Sequence, residues 1–167
     1  MKDPKIARAV GELRNAGHVV ALTGAGMSVE SGIPPFRGKG GLWEKIDPME
    51  YAHIDAFIEN PKKVWDVLIR EMKTVVDAAV PNRGHLGLAE LEKRGMLKTI
   101  ITQNVDGLHQ AAGSTDVIEF HGSFAWQRCM KCNGRVRTQQ IDITHLPPHC
   151  QCGGVYPPAC VSFRELL

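Results

Sequence analysis

Apolar residues along this chain recur either at helical spacing or in short unbroken runs. Between residues 4 and 16 they stand three and four positions apart, which indicates an amphipathic helix. The run at 18–23 stops at Gly24 and is typical of a strand buried in a parallel sheet. The same two patterns predict helices over 61–79 and 84–94 and strands over 97–102, 117–121 and 159–163.

The alternation of strands and helices favours an α/β domain with a parallel sheet. Residues 32–50, rich in Gly, Pro and Lys, are predicted to form a long ordered loop. Ligands of such sheets bind at the carboxyl ends of the strands. Three polar clusters follow three of the predicted strands: Gly24-Ala25-Gly26, Gln103-Asn104-Val105-Asp106 and His121-Gly122. We therefore expect a ligand site at this edge of the sheet.

The first cluster is a glycine turn. Gly24 and Gly26 let a phosphate approach the backbone closely, and a helix start behind them supplies free N–H groups. Val29 stands where the dinucleotide fingerprint has its third glycine, which argues against a hydride-transferring dehydrogenase. An ordinary tight turn, with Ser28 as a helix cap, is the alternative.

The other two clusters carry side chains suited to recognition and proton transfer. Gln103, Asn104 and Asp106 need polar partners, either the amide and hydroxyl groups of a ligand or the backbone of a turn. His121 lies at a predicted strand end before a glycine, and its ordinary pKa suits a general base at neutral pH. His85 and His109 carry no comparable placement signal.

Four cysteines in a polar segment, residues 129–152, point to a metal. Cys129 and Cys132 are separated by two residues, and Cys150 and Cys152 by one, with seventeen residues between the pairs. This spacing is close to a zinc ribbon in which protein fills all four positions, so the site would be structural. Four free thiols are the alternative. Cys160, outside the pattern, is expected to be a packed core thiol.

Composition narrows the function classes. The 167 residues are 43% apolar and 23% charged, which is ordinary for a globular domain and excludes collagen or a disordered chain. A net charge of +2 gives no indication of direct nucleic-acid binding or of a membrane surface. Residues 1–10 do not form a signal peptide, and cysteines with metal-like spacing suit a reducing compartment. A cytoplasmic location is expected.

The motifs taken together resemble the sirtuins. Residues 24–34, with Phe36-Arg37 and Gly41-Leu42-Trp43, are similar to the first signature of that family. Residues 102–109 are similar to the second and 119–122 to the third, and the four cysteines match the family's zinc module. Pro81-Asn82 and His85 also stand where the family has them. The resemblance runs in register from about residue 5 to residue 155.

The resemblance implies an NAD-dependent protein-lysine deacetylase, a hydrolase or transferase that moves acetyl from acetyl-lysine to ADP-ribose and releases nicotinamide. An acetylated protein or peptide would be its partner, and NAD and zinc its cofactors. His121, Asn104 and Asp106 would be catalytic, with His121 as the base and Asp106 accepting from the nicotinamide carboxamide. NAD would be bound by residues of the glycine turn, a mobile loop and the second signature: Gly24, Ala25, Gly26, Ser28, Ile33, Phe36, Arg37, Trp43, Gln103, Asn104, Val105 and Asp106.

The implied fold is a Rossmann-like parallel sheet, first half only, with a small zinc-ribbon insert. Residues 1–125 and 156–167 would form the incomplete NAD-binding domain, and residues 126–155 the zinc module. The chain stops before the segments with which the family binds adenosine, so it is expected to be C-terminally truncated. An apolar sheet face without partners, self-association and little deacetylase activity are expected in consequence. The alternative function is an inactive remnant that acts as a zinc-stabilised binding module.

One departure from the family bears on substrate choice. Leu68 and Glu71 stand where acyl-selective members carry Tyr and Arg. Without that Arg there is no partner for the extra carboxylate of a succinyl or malonyl group, so a preference for those groups is not expected.

Overall fold

A three-stranded parallel sheet lies at the centre of the computed structural model, which describes residues 3–68, 72 and 74–157. The strands are β1 (Val20–Thr23), β2 (Thr99–Thr102) and β3 (Val117–Glu119), in the order β1-β2-β3. Thr23 pairs with Thr102, and Thr102 with Glu119. The carboxyl ends of all three strands are therefore level, as the α/β prediction requires, and the three polar clusters leave the sheet at one edge.

Seven α-helices are described around this sheet. Side-chain caps start several of them: Asp3 accepts from the Lys5 N–H at 2.8 Å, and Asn82 accepts from the Gly84 N–H at 2.8 Å. Gly95, with φ of 71°, follows the end of the sixth helix. The helices are α1 (Pro4–Asn15), α2 (Pro48–Tyr51), α3 (Ile54–Glu59), α4 (Pro61–Leu68), α5 (Thr74–Ala78), α6 (Arg83–Lys93) and α7 (Leu108–Ala111).

Several element boundaries differ from the prediction. The helix expected over 61–79 is described as α4 and α5, and the strand expected over 159–163 lies outside the described residues. The predicted loop at 32–50 contains a 3-10 turn, Leu42–Glu44, and the start of α2. Helices α3 and α7 were not predicted, because four to six residues are too short for a helical repeat to be visible.

The four cysteines lie in a separate small module. A two-stranded antiparallel hairpin, β4 (Trp126–Arg128) and β5 (Arg135–Arg137), starts it, and an isolated bridge joins His149 to Val155. The module is tied to the helices through the buried cluster of Phe57, Val64 and Trp65, against which Val155 packs. The Trp65 Nε1–H also donates to the Tyr156 carbonyl at 2.8 Å.

The two faces of the parallel sheet are unequally covered. Ile100 on one face is fully buried, whereas the opposite face carries Leu22, 71% exposed, and Ile118, 50% exposed. Both lie beside Ile101 in the register. Parallel sheets usually have both faces covered, so this apolar face is an exception. None of the helices in the described part of the chain has the length and apolar character that crossing a bilayer demands.

Candidate active site

The glycine turn follows β1 directly and leads into a 3-10 helix, Ala25–Ser31, rather than an α-helix. Gly24 precedes this helix in an extended conformation, and the Met27 N–H donates to its carbonyl at 2.9 Å. A Cβ atom added at Gly24 or Gly26 would meet no other atom within 4 Å. Protein packing does not demand glycine at either position, and the open space over the turn fits a ligand phosphate.

Three predicted site residues are joined by hydrogen bonds beside this turn. The buried Ser28 hydroxyl donates to Asp106 Oδ2 at 2.7 Å. Asn104 Nδ2 donates to Ser28 Oγ at 3.0 Å and to the Gly24 carbonyl at 3.1 Å. Asp106 Oδ1 accepts from the Leu108 N–H at 2.9 Å, which fixes the carboxylate. The structure therefore brings the first and second polar clusters together.

Asn82 holds the glycine turn from the other side. Its Nδ2 donates to the Met27 carbonyl at 2.8 Å and to Ser31 Oγ at 3.0 Å, while its Oδ1 caps α6. The Asn82 N–H donates in return to His85 Nδ1 at 3.3 Å. In the sequence, Pro81-Asn82 stands only as part of the family resemblance. The link to a turn 51 residues away has no local signal.

A pair of histidines lies in the interior beside the same turn. His85 and His109 are 0% and 1% exposed, and their rings meet edge to face at 4.8 Å. His109 Nε2 lies 2.9 Å from Thr23 Oγ1 at the end of β1. Burial lowers the pKa of both imidazoles, so they are neutral at physiological pH. Sequence reasoning gave these two residues no role.

Strand β3 ends at Glu119, two residues before its predicted end, so His121 lies in the turn beyond the strand and not at the strand end. The Phe120 N–H donates to the Thr102 carbonyl and the Phe124 N–H to the Val105 carbonyl, both at 2.8 Å. His121 is thereby held alongside the loop that carries Asn104 and Asp106. Its half-buried ring meets Phe120 edge to face at 5.2 Å, and both ring nitrogens are without a hydrogen-bond partner among the residues that the structure describes.

The predicted cofactor loop is closed upon itself. The Leu42 N–H donates to the Pro35 carbonyl and the Trp43 N–H to the Phe36 carbonyl, each at 2.9 Å. The rings of Phe36 and Trp43 lie 5.4 Å apart, and Arg37 is exposed.

Among the described residues, hydrogen bonds tie the start of this loop to the glycine turn. The N–H of the buried Ile33 donates to the Ser28 carbonyl at 3.2 Å. Of the neighbouring second-cluster residues, Val105 is buried and Gln103 is exposed. Within the described residues, no hydrogen bond links the side chains of Phe36, Arg37 or Trp43 to Asn104 or Asp106. Glu71 and the side chain of Leu68, on which the acyl preference depends, lie outside the described part of the structure.

The four cysteine sulfur atoms converge within 4.8 Å of one another. Cys129 Sγ is 3.5 Å from Cys152 Sγ, and Cys132 Sγ is 3.7 Å from Cys150 Sγ. A tetrahedral zinc with bonds of about 2.3 Å would separate its sulfur ligands by about 3.8 Å, so the cluster fits zinc. The Cys152 N–H, followed by the Tyr156 hydroxyl, lowers the pKa of Cys150 to about 6. The pKa of Cys152 is raised to about 11: the Gly154 N–H lowers it, but the neighbouring cysteine thiols and burial outweigh that effect.

Gly154 closes the cluster, and sequence reasoning missed it. A Cβ atom at this position would come within 2.5 Å of Cys129 Sγ and 2.6 Å of Lys131 Cβ. Only a glycine fits there without displacing a cysteine. Cys160, predicted to be a core thiol, lies outside the described residues.

Comparison with known proteins gives one consistent result. Residues 24–167 match the model of the Sir2 family. The chain is 47% identical to an NAD-dependent protein deacylase of Aeropyrum pernix, covering 93% of this chain and 63% of that protein. It is 46% identical to an NAD-dependent protein deacetylase of Saccharolobus solfataricus, covering 92% of this chain and 63% of that protein. The chain therefore spans a little under two-thirds of the length of these relatives.

Solved structures agree. A Sir2 homologue in complex with NAD superimposes with a TM-score of 0.86 at 43% identity, covering 100% of this chain and 64% of that one. A Sir2 protein with a deacetylated p53 peptide and 3′-O-acetyl ADP-ribose gives a TM-score of 0.88 at 34% identity, covering 97% and 67%.

Proposed function

The chain belongs to the Sir2 family, the sirtuins, and on that basis we propose that it carries the catalytic half of an NAD-dependent protein-lysine deacetylase. The observation that carries the proposal is the hydrogen-bonded set of Ser28, Asn104 and Asp106, which joins the glycine turn to the second polar cluster. A phosphate-binding turn and an amide-reading carboxylate are what recognition of the nicotinamide half of NAD requires.

In this proposal each part of the site has its own function in binding NAD. The open turn at Gly24 and Gly26 binds the pyrophosphate through backbone N–H groups. Asp106 keeps unused lone pairs after its bonds to Ser28 and Leu108, and these accept from the carboxamide of nicotinamide. Bound NAD supplies the ADP-ribosyl group and the leaving group.

His121 is the proposed general base, because its ring nitrogens are free and it stands next to the second cluster. It takes the proton of a ribose hydroxyl and so readies that oxygen to receive the acetyl group. In this proposal the loop of Phe36, Arg37 and Trp43 excludes water, so that the acetyl oxygen of the substrate and not solvent reaches the ribose carbon; the packing of the Phe36 and Trp43 rings supports an apolar cover.

The cysteine cluster of Cys129, Cys132, Cys150 and Cys152 would hold one zinc with a structural role, because protein occupies all four positions. The division into an NAD-binding part (residues 1–125 and 156–167) and a zinc module (residues 126–155) is part of the same proposal. The partner is an acetylated protein or peptide. Metal-binding thiolates persist in a reducing compartment, which supports a cytoplasmic location.

The test is nicotinamide release from NAD in the presence of an acetyl-lysine peptide, measured on this chain and on a form extended to the length of its relatives, because little turnover is expected of the 167-residue chain alone. His121→Ala should abolish release while leaving the melting temperature within a few degrees of the parent. His145→Ala is the matched control, because His145 is an exposed imidazole in the loop at 141–148. Equal turnover in the His121→Ala and His145→Ala variants would remove the proposed base. Absence of release from every form would leave the binding-module alternative.

A further inference from the structure

We propose that the exposed face of the β4–β5 hairpin binds single-stranded nucleic acid. Trp126 is paired with Arg137 in the hairpin, and Arg128 with Arg135. These four side chains are exposed and lie on one face, while the residue between the first pair, Gln127, is 3% exposed and turned inward. We refer to Trp126, Arg128, Arg135 and Arg137 as the arginine–tryptophan face.

The indole holds two of the guanidinium groups in place. Arg137 Cζ lies 4.7 Å and Arg135 Cζ 5.3 Å from the centre of the Trp126 ring, both within cation–π range. A guanidinium held over a ring by this attraction keeps its N–H groups for a second partner. In the described part of the chain, no carboxylate pairs with the three arginines and none of their side chains donates a hydrogen bond. The donors are therefore ordered in advance and unused.

Charge is concentrated in this part of the chain. Residues 126–155 contain Arg128, Lys131, Arg135 and Arg137 against a single acid, Asp142. The Lys131 ammonium is occupied by the Cys152 carbonyl at 3.1 Å, so the exposed face depends on the arginines. The net charge of +2 for the whole chain conceals this local excess, which is why composition gave no indication of nucleic-acid binding.

The chemistry of the face favours nucleic acid over an acidic peptide. Guanidinium forks match phosphate oxygens, and an exposed aromatic ring stacked with arginine provides a platform for a base. An acidic peptide would pair with the arginine side chains and would not contact the Trp126 ring. Stacking requires bases that are not already stacked in a duplex, so the preferred form is a single strand.

The measurement is the affinity of the chain for a fluorescent oligothymidylate of about 16 nucleotides, taken at several salt concentrations. Three phosphate contacts predict a slope of about −2 for the logarithm of the association constant against the logarithm of salt concentration. Arg135→Gln combined with Arg137→Gln should reduce that slope by about 1.4. Trp126→Ala should weaken binding about tenfold, and Trp126→Phe should recover part of the loss.

The matched control is Arg8→Gln with Arg14→Gln, which removes the same charge from two exposed positions on α1. A zinc content equal to that of the parent verifies that each hairpin variant is folded. If Trp126→Ala does not fold, the affinity of the double variant Arg135→Gln/Arg137→Gln tests the proposal. An affinity of the hairpin pair equal to that of the α1 pair would overturn the proposal. If polyglutamate carrying the same total charge displaced the oligonucleotide, the arginine–tryptophan face would be a binding site for acidic proteins instead. Equal binding of a duplex, with no effect of Trp126→Ala, would overturn the single-strand preference.

Discussion

The hydroxyl of Ser28 donates to the carboxylate of Asp106 at 2.7 Å, across 78 positions of sequence. This bond connects the glycine turn after β1 to the loop after β2, and Asn104 donates to the same hydroxyl. Because Ser28 is 1% exposed, water cannot replace either partner. The glycine turn and the second polar cluster, for which we propose phosphate binding and amide recognition, are therefore one hydrogen-bonded unit.

Ser28→Ala should weaken the use of NAD and lower the free energy of unfolding by about 1–2 kcal/mol, because it leaves the buried Asn104 and the partly buried Asp106 each without one partner. Initial rates at varied NAD concentration and denaturant unfolding measure the two effects. Thr144→Ala is the control, since it removes a hydroxyl bond to a carboxylate, that of Asp142, in the exposed loop at 141–148. If both variants showed the same NAD dependence, the Ser28–Asp106 bond would have no part in cofactor binding.

Two variants of Asn82 distinguish its capping of α6 from its positioning of the glycine turn. Asn82→Asp keeps the oxygen that caps α6 but loses the Nδ2 donors to Met27 and Ser31, whereas Asn82→Ala loses both. We expect Asn82→Asp to raise the KM for NAD with little change in melting temperature, and Asn82→Ala to lower the melting temperature as well. An unchanged KM in Asn82→Asp would contradict positioning of the turn by this residue.

Gly154 gives a test of the metal site that spares every cysteine. Gly154→Ala places a methyl group against Cys129 Sγ and Lys131, so zinc content per chain should fall well below one. Gly87→Ala is the matched control, because a Cβ atom there meets nothing within 4 Å and the position is helical. That control should keep its zinc and gain up to about 1 kcal/mol of stability. Full zinc occupancy in Gly154→Ala, measured by elemental analysis, would contradict the proposed ligand geometry.

The sequence was sufficient for the features that depend on local pattern. Apolar runs predicted β1, β2 and β3 to within two residues of their ends, and cysteine spacing predicted a cluster whose sulfur atoms do converge. The contacts it could not supply are long-range. His109 meets Thr23 across 86 positions, and nothing local distinguishes a buried histidine of this kind from an exposed one. The arginine–tryptophan face has a readable signal, alternation in Trp126-x-Arg128 and Arg135-x-Arg137, but averaging over the whole chain hides it.

Glu92 provides a pH-dependent contribution to stability. Its Oε1 accepts from the Thr115 hydroxyl at 2.6 Å and from the N–H groups of Thr115 and Asp116 at 2.8 and 3.0 Å. These bonds, the Thr115 hydroxyl first, lower the pKa of Glu92 to about 2 from its ordinary value of 4.5. Because the folded pKa lies below the unfolded one, the stabilisation is complete above about pH 4.5 and is lost as the pH falls towards 2.

Glu92→Gln should accordingly lower the free energy of unfolding by about 1–2 kcal/mol at neutral pH, after allowance for the partial exposure of the side chain. The difference from the parent should shrink steadily below pH 4.5. Glu90→Gln, which removes an exposed ion pair with Arg94, should leave the free energy of unfolding nearly unchanged. Urea unfolding at a series of pH values measures both, and a pH-independent effect of Glu92→Gln would contradict the assignment.

The uncovered sheet face predicts how the 167-residue chain behaves in solution. Leu22 and Ile118, 71% and 50% exposed, flank Ile101 on one face and form a contiguous apolar surface across all three strands. Contiguous apolar patches on a sheet favour association. We expect the purified chain to self-associate, with a weight-average mass that rises with concentration in sedimentation equilibrium.

Leu22→Thr combined with Ile118→Thr keeps strand-forming residues while removing apolar surface, and it should shift the chain towards monomer. Met49→Thr, at a 61% exposed position on α2, is the control and should leave association unchanged. A parent chain that sediments as a monomer at every concentration would show that this face needs no partner in solution.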